Sequence, residues 1–236
     1  MRQIAGARLT HGYFVLTAVL VALRVSAVVC GIVLGQAFWN HISSGIGDGL
    51  NLLLGAILGM AARRAEPREF LCAPEVYSAL CLASGMAFVM ASYSKAFSMA
   101  GMLEFFTQSG YSARFLKFII SAEVLGGIGL MIPWTVQPAI AGLSVDMFGA
   151  VYTHIHNGDP LNDSTGAIGQ LIRLAILAVL WAWRPRPEAR PGSTRRRIVA
   201  IALGAAISVS AAVMGSALVR RLSQPVPAAQ STANTP

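Results

Sequence analysis

The chain is poor in charge: only 12% of its 236 residues are Asp, Glu, Lys or Arg, while 55% are hydrophobic. An average soluble domain carries roughly 25% charged residues. With a mean hydropathy of +0.62, this scarcity excludes a water-soluble globular domain and predicts an integral membrane protein. Acids are scarcer than bases, ten against eighteen, for a net charge of +8. In a soluble chain that excess would point to nucleic acid. Here the bases fall between apolar stretches and not along one helix face interleaved with aromatics, so they read as topology signals and no nucleic-acid partner is expected. Cysteine is sparse too. Cys30, Cys72 and Cys81 form no CxxC pair and have no histidine at metal-ligand spacing, which excludes a dithiol redox centre and a zinc site and leaves them as small apolar fillers. No haem, flavin or iron–sulfur ligand motif is present, so no intrinsic cofactor or metal is expected and electrons would have to come from a partner. No internal repeat is visible.

What the chain has is long apolar runs. A spanning helix needs about twenty mainly apolar residues, and seven stretches approach that: 13–35, 45–62, 76–95, 115–132, 138–153, 166–183 and 198–219. The reading is an all-α, polytopic transmembrane bundle of about seven spans. Val28-Val29-Cys30-Gly31 resembles a lipoprotein cleavage site. Arg24 interrupts the run, however, and Val29 is too large before the cysteine, so the segment is kept as a membrane helix. The glycine-rich stretch 45–62, with Asp48 and Asn51 at its start, has a re-entrant or interfacial helix as its alternative.

Organisation follows from composition. Residues 1–75 hold two candidate spans, 76–183 a four-helix bundle, 184–197 a basic Pro-rich linker, 198–222 one more helix and 223–236 a disordered tail. With the N-terminus in the cytoplasm, Arg2, Arg8, Arg63, Arg64, Arg68 and the arginines of the linker fall inside, and Lys95, Arg114, Lys117, Arg220 and Arg221 fall outside. That bias predicts a multi-pass protein of the cell inner membrane. Residues 97–110, with Phe97, Met102, Phe105 and Phe106 set against Glu104, Thr107 and Gln108, are too short and polar to cross and are expected to lie as an amphipathic helix in the outer interface.

Glu123, Asp146 and Arg173 sit near the middles of three different stretches. An ionisable group at bilayer depth costs ~2.5–3.5 kcal/mol even on mild insertion scales, so each needs a partner or a task. From the helical rise all three lie ~10–12 Å below the outer ends of their spans, in one layer. Lys95 stands above them, and His154 and His156 close the fifth stretch at the same face. Two carboxyl groups, a guanidinium, a lysine and histidines are the elements of a proton-handling pocket, with Glu123 and Asp146 as the catalytic candidates. The structural alternative is that Arg173 pairs with one acid to lock helices together. His154 and His156, two apart, point about 200° from each other on a helix and do not converge on a metal. Gly126, Gly127 and Gly129, and Gly142 and Gly149, bare the helices for close packing or leave room for a flat ligand such as a quinone.

Residues 80–183 resemble the DoxX family of four-span membrane proteins. The likeness rests on Ala91-Ser-Tyr-Ser-Lys95, on Ser109-Gly-Tyr-Ser-Ala113, on Glu123 followed after two intervening residues by Gly126-Gly127, and on Gly149-Ala150, His154 and Gly158-Asp159-Pro160. The family usually has Gly where this chain has Ser92. The outer helices are additions to the four-span unit. The resemblance implies a DoxX-like four-helix core supporting a redox system, by binding quinone or by anchoring a soluble oxidoreductase or other membrane subunit, with thiosulfate:quinone-type chemistry. It carries over Lys95, Glu123 and His154 by position, whereas Asp146 and Arg173 come from depth alone. In the quinone version Glu123 and Asp146 relay protons, Lys95 or His154 hydrogen-bonds a carbonyl, and Arg173 tunes the carboxyls. A proton-coupled small transporter, or a structural or assembly subunit without chemistry, would use the same layer, and whether the chain is an enzyme stays open.

Overall fold

The computed structural model describes residues 2–34, 37–64 and 66–184. The linker beyond Arg184, the expected helix at 198–222 and the tail at 223–236 lie outside the described residues.

Two long helices come first, α1 (Arg2–Leu34) and α2 (Ala37–Ala62). They lie against each other, and α1 also packs along α4 (Pro74–Phe97). Stretch 45–62 is part of one continuous 26-residue helix, not a re-entrant turn. Arg24, without an evident partner in the sequence, lies with its guanidinium carbon 2.6 Å from where a β-carbon on Gly47 would stand, within electrostatic reach of Asp48. Along α1, Val15, Leu16, Val19, Leu23, Val29 and Ile32 are exposed, as lipid-facing residues are.

Short α3 (Pro67–Cys72) leads into α4, and each opens with proline at its first position, where the missing N–H has no helical partner to lose. Then come α5 (Met99–Gln108), α6 (Ala113–Met131), α7 (Val136–Asn157), a 3₁₀ turn (Leu161–Ser164) and α8 (Thr165–Trp183). The amphipathic segment expected over 97–110 is the helix α5. Ser112 caps α6, its side chain accepting from the Phe115 N–H at 3.2 Å. The Thr135 hydroxyl donates to the Gly129 carbonyl at 2.7 Å, tying the end of α6 to the start of α7. Helix α7 stops at Gly158, whose φ of +75° suits a residue without a β-carbon.

Helices α4, α6, α7 and α8 form a closed ring, each touching the next and α8 returning to α4. The tightest crossing is α4 on α6. A β-carbon on Gly127 would stand 2.7 Å from the Gly85 carbonyl, and one on Gly85 would strike the Gly127 carbonyl. The ring is solid at one end, where Val76, Leu80, Leu130, Leu143, Leu177 and Leu180 fill the core. It is hollow at the other.

Four described helices are long and apolar enough to cross a membrane: Leu9–Leu34, His41–Ala62, Pro74–Phe97 and Leu161–Trp183. About seven spans are therefore not confirmed. The stretches 115–132 and 138–153 are helical, but α6 carries Arg114, Lys117 and Glu123, and α7 carries Asp146, His154 and His156. Those polar groups lower their apolar character.

Candidate functional site

The hollow end of the ring encloses a cavity of about 430 Å³. Small residues make the space, since Gly149, Ala150, Gly166 and Ala167 face it and a β-carbon on Gly149 or Gly166 would meet nothing within 4 Å. Aromatic side chains shape the rest. Phe105 and Phe106 from α5 close over it, and Tyr111 stacks on Phe115 at 5.0 Å between ring centres. The Tyr111 hydroxyl lies 3.1 Å from that of Thr153, which itself donates to the Gly149 carbonyl at 2.8 Å.

The cavity's charged cluster lies on α4, α6 and α7, and Asp163 of the 3₁₀ turn lines it as well. Lys95 Nζ on α4 is 2.6 Å from Glu123 Oε1 and 2.8 Å from Oε2 on α6. The Glu123 side chain is 1% exposed and that of Lys95 26%, so the ammonium faces the cavity and the carboxylate sits behind it. Ser92, one turn before Lys95 on the same helix face, places its hydroxyl 3.1 Å from Glu123 Oε2. Asp146 on α7 lies within electrostatic reach of both Glu123 and Lys95. It is 5% exposed and lines the cavity; its carboxyl group interacts with that of Glu123, and its Oδ2 has no hydrogen-bond partner among the described residues.

At the cavity's edge, His154 Nδ1 is 2.8 Å from Asp159 Oδ2, and its ring packs on Phe105 at 5.2 Å. The αL turn at Gly158 brings Asp159 back over the last turn of α7, its N–H reaching the His154 carbonyl at 3.0 Å. His156 points elsewhere and stacks on Tyr152 at 5.6 Å.

Four of the five site residues read from the sequence, Lys95, Glu123, Asp146 and His154, thus line one cavity. Arg173 does not join them. It is absent from the cavity wall, and its Nη2 donates to Asn51 Oδ1 of α2 at 2.6 Å. The shared layer of two acids and an arginine is corrected accordingly. Helical rise fixes height, whereas the facing of a side chain is set by rotation about the helix axis, and on α8 it is Gly166, Ala167 and Gln170 that turn inward.

Residues 79–183 match the model of the DoxX-like family. Over this stretch, under half of the chain, the sequence is similar to that family and forms a DoxX-like unit. The resemblance read over 80–183 is borne out, and the unit takes in most of α4 and all of α5 to α8, leaving α1 to α3 outside the match. No curated protein and no solved structure was found similar to the chain.

Within the DoxX-like unit several contributors escaped the sequence reading. Ser92, noted only as a departure from the usual glycine, is a ligand of Glu123. Its i, i+3 spacing to Lys95 was the available signal. Gln170 was missed because a lone amide in an apolar run carries no pattern. Asp159, read as a turn residue, also holds the imidazole.

Proposed function

We propose that the DoxX-like unit binds a flat, largely apolar ring of the quinone class in the hollow end of the helix ring, serving a redox system of the inner membrane. The observation that carries this reading is the Lys95–Glu123–Asp146 wall opening onto an aromatic-lined cavity of about 430 Å³. Ligand sites are typically apolar spaces of ~300–1,000 Å³ with a few convergent polar groups, and this one meets that description. Under this reading Lys95 or His154 donates to a ring oxygen, and Glu123 and Asp146 exchange protons with it. Electrons come from a partner protein, either a soluble oxidoreductase or another membrane subunit, docked on the chain. Arg173, turned to Asn51, has no part in it.

The test is calorimetric titration of the purified chain in lipid nanodiscs with a short-tailed benzoquinone and its hydroquinone. Saturable binding of at least one of them, weakened tenfold or more by Glu123→Gln, supports the reading. Absence of saturable binding of either up to millimolar concentration overturns it. The ion pair also supports a structural reading, because it ties α4 to α6. Loss of the folded protein on Glu123→Gln, together with no binding by the unmodified chain, would favour that one.

A further inference from the structure

The outward face of α2 differs from that of α1. On α1 the exposed residues are bulky and aliphatic, whereas Leu52 is the large hydrophobic residue exposed on α2. Around it Gly45, Asp48, Gly55 and Gly59 are exposed too, at three- and four-residue intervals that place them in one stripe along the helix. A β-carbon on Gly45, Gly55 or Gly59 would meet nothing within 4 Å. Glycines four apart let helix backbones approach closely in a membrane. Two charged groups belong to the same surface, well inside the candidate spans His41–Ala62 and Leu161–Trp183. Asp48 stands in the stripe itself. Arg173 of α8 reaches its edge, where Nη2 donates to Asn51 Oδ1 at 2.6 Å, one turn from Asp48. Asp48 lies within electrostatic reach of Arg24, but among the described residues neither Asp48 nor Arg173 forms an ion pair. A carboxyl can shed its charge by taking up a proton, while a guanidinium keeps its own. At bilayer depth an unpaired one costs ~2.5–3.5 kcal/mol even on mild scales, so Arg173, held by a neutral amide, lacks an acid.

We propose that two copies of the chain meet on this face of α2, with Asp48 of each accepting from Arg173 of the partner subunit. A two-fold axis along the membrane normal makes the contact isologous and keeps every residue at its own depth. Asp48 and Asn51 are one turn apart, so an Arg173 held at Asn51 stands near the depth of the carboxylate it needs, and the pair forms twice. The bare glycines let the two α2 helices come close enough for it. A carboxylate has about four acceptor positions, which leaves room for Arg24 of the same chain. Charge selects this occupant over the chain's own apolar run at 198–219, which carries no charged residue and would leave Arg173 without an acid. None of these residues lines the cavity, so the inference stands apart from the ring-binding reading.

The experiment counts subunits of the full chain, one dye on each, by stepwise photobleaching in lipid bilayers of increasing protein density. Two-step traces are expected to grow with density for the unmodified chain, a measurement that needs no variant to fold. Gly55→Leu places its side chain in open space and is expected to weaken the dimer at least tenfold. Asp48→Arg and Arg173→Asp are each expected to do the same, and the two together to return it to within threefold of the unmodified chain. On mild oxidation Leu52→Cys is expected to give a disulfide-linked dimer, which Leu16→Cys on the outward face of α1 does not. A chain that stays monomeric at every density overturns the proposal. A dimer that Gly55→Leu leaves unchanged overturns it by placing the contact on another face. So does a dimer that the two charge changes leave unchanged, because Asp48 and Arg173 then do not meet. A disulfide within one chain carrying Leu52→Cys and Ser208→Cys also overturns it, giving the face to the run at 198–219.

Discussion

Lys95 and Glu123, twenty-eight positions apart, meet at 2.6 Å with the carboxylate buried and the ammonium on the cavity wall. The pair joins the two helices that cross most closely, and it sits one side chain away from Asp146. Its position makes it both a fastening between α4 and α6 and the polar end of an apolar chamber.

Removing one partner of such a pair strands a buried charge, a change that costs ~3–5 kcal/mol in well-buried pairs. Because Lys95 is partly exposed, Lys95→Met should lie at the low end, about 3 kcal/mol. The double change Lys95→Met with Glu123→Gln, which leaves no stranded charge, should recover at least half of the loss. Reversible unfolding in mixed detergent measures both.

Ser92→Ala removes a hydroxyl 3.1 Å from the same carboxylate. Hydrogen bonds to charged groups contribute about 1.5–3 kcal/mol, and because the hydroxyl also lies 2.9 Å from the Phe88 carbonyl, the unfolding free energy should fall by an amount at the low end of that range. The midpoint should change much less in a chain that also carries Glu123→Gln, because the hydroxyl then faces a neutral amide. An equal loss in both backgrounds would show that Ser92 acts without Glu123.

The two kinds of glycine in the bundle should respond in opposite ways. Gly127→Ala forces a methyl to 2.7 Å from the Gly85 carbonyl of the neighbouring helix, and overpacking of that kind typically costs 1–3 kcal/mol, here with backbone as the obstacle. Gly149→Ala places its methyl in open space on the cavity wall. It should leave stability equal or raise it by roughly 0.5–1 kcal/mol, since alanine holds a helix better than glycine, while reducing the volume left for a ligand. Thermal unfolding read beside ring binding separates the two effects.

Arg173 provides a control outside the cavity. Asn51→Leu removes the acceptor 2.6 Å from its guanidinium, and a partly buried donor left unmade should cost about 1–3 kcal/mol. Ring affinity should change less than twofold. A large loss of affinity in a chain that remains folded would bring Arg173 back into the site.

The sequence by itself determined that this chain is helical and apolar and where most of its helices run, while α3 and the N-terminal parts of α1 and α2 escaped it. Those properties are local: proline at the first position of α3 and α4, serine before α6, glycine after α7, and a fixed 1.5 Å rise per residue. The likeness around Lys95, Glu123 and His154 was legible for the same reason, as short strings of neighbouring residues. Only the tertiary structure decided which charge meets which. Rotation of each helix about its own axis turned Lys95, Glu123 and Asp146 toward one cavity and Arg173 toward Asn51. The close approach of Gly85 and Gly127 set α4 and α6 near enough for the ion pair to form. Such rotations follow from how whole helix surfaces interlock, and no stretch of the chain carries that information alone.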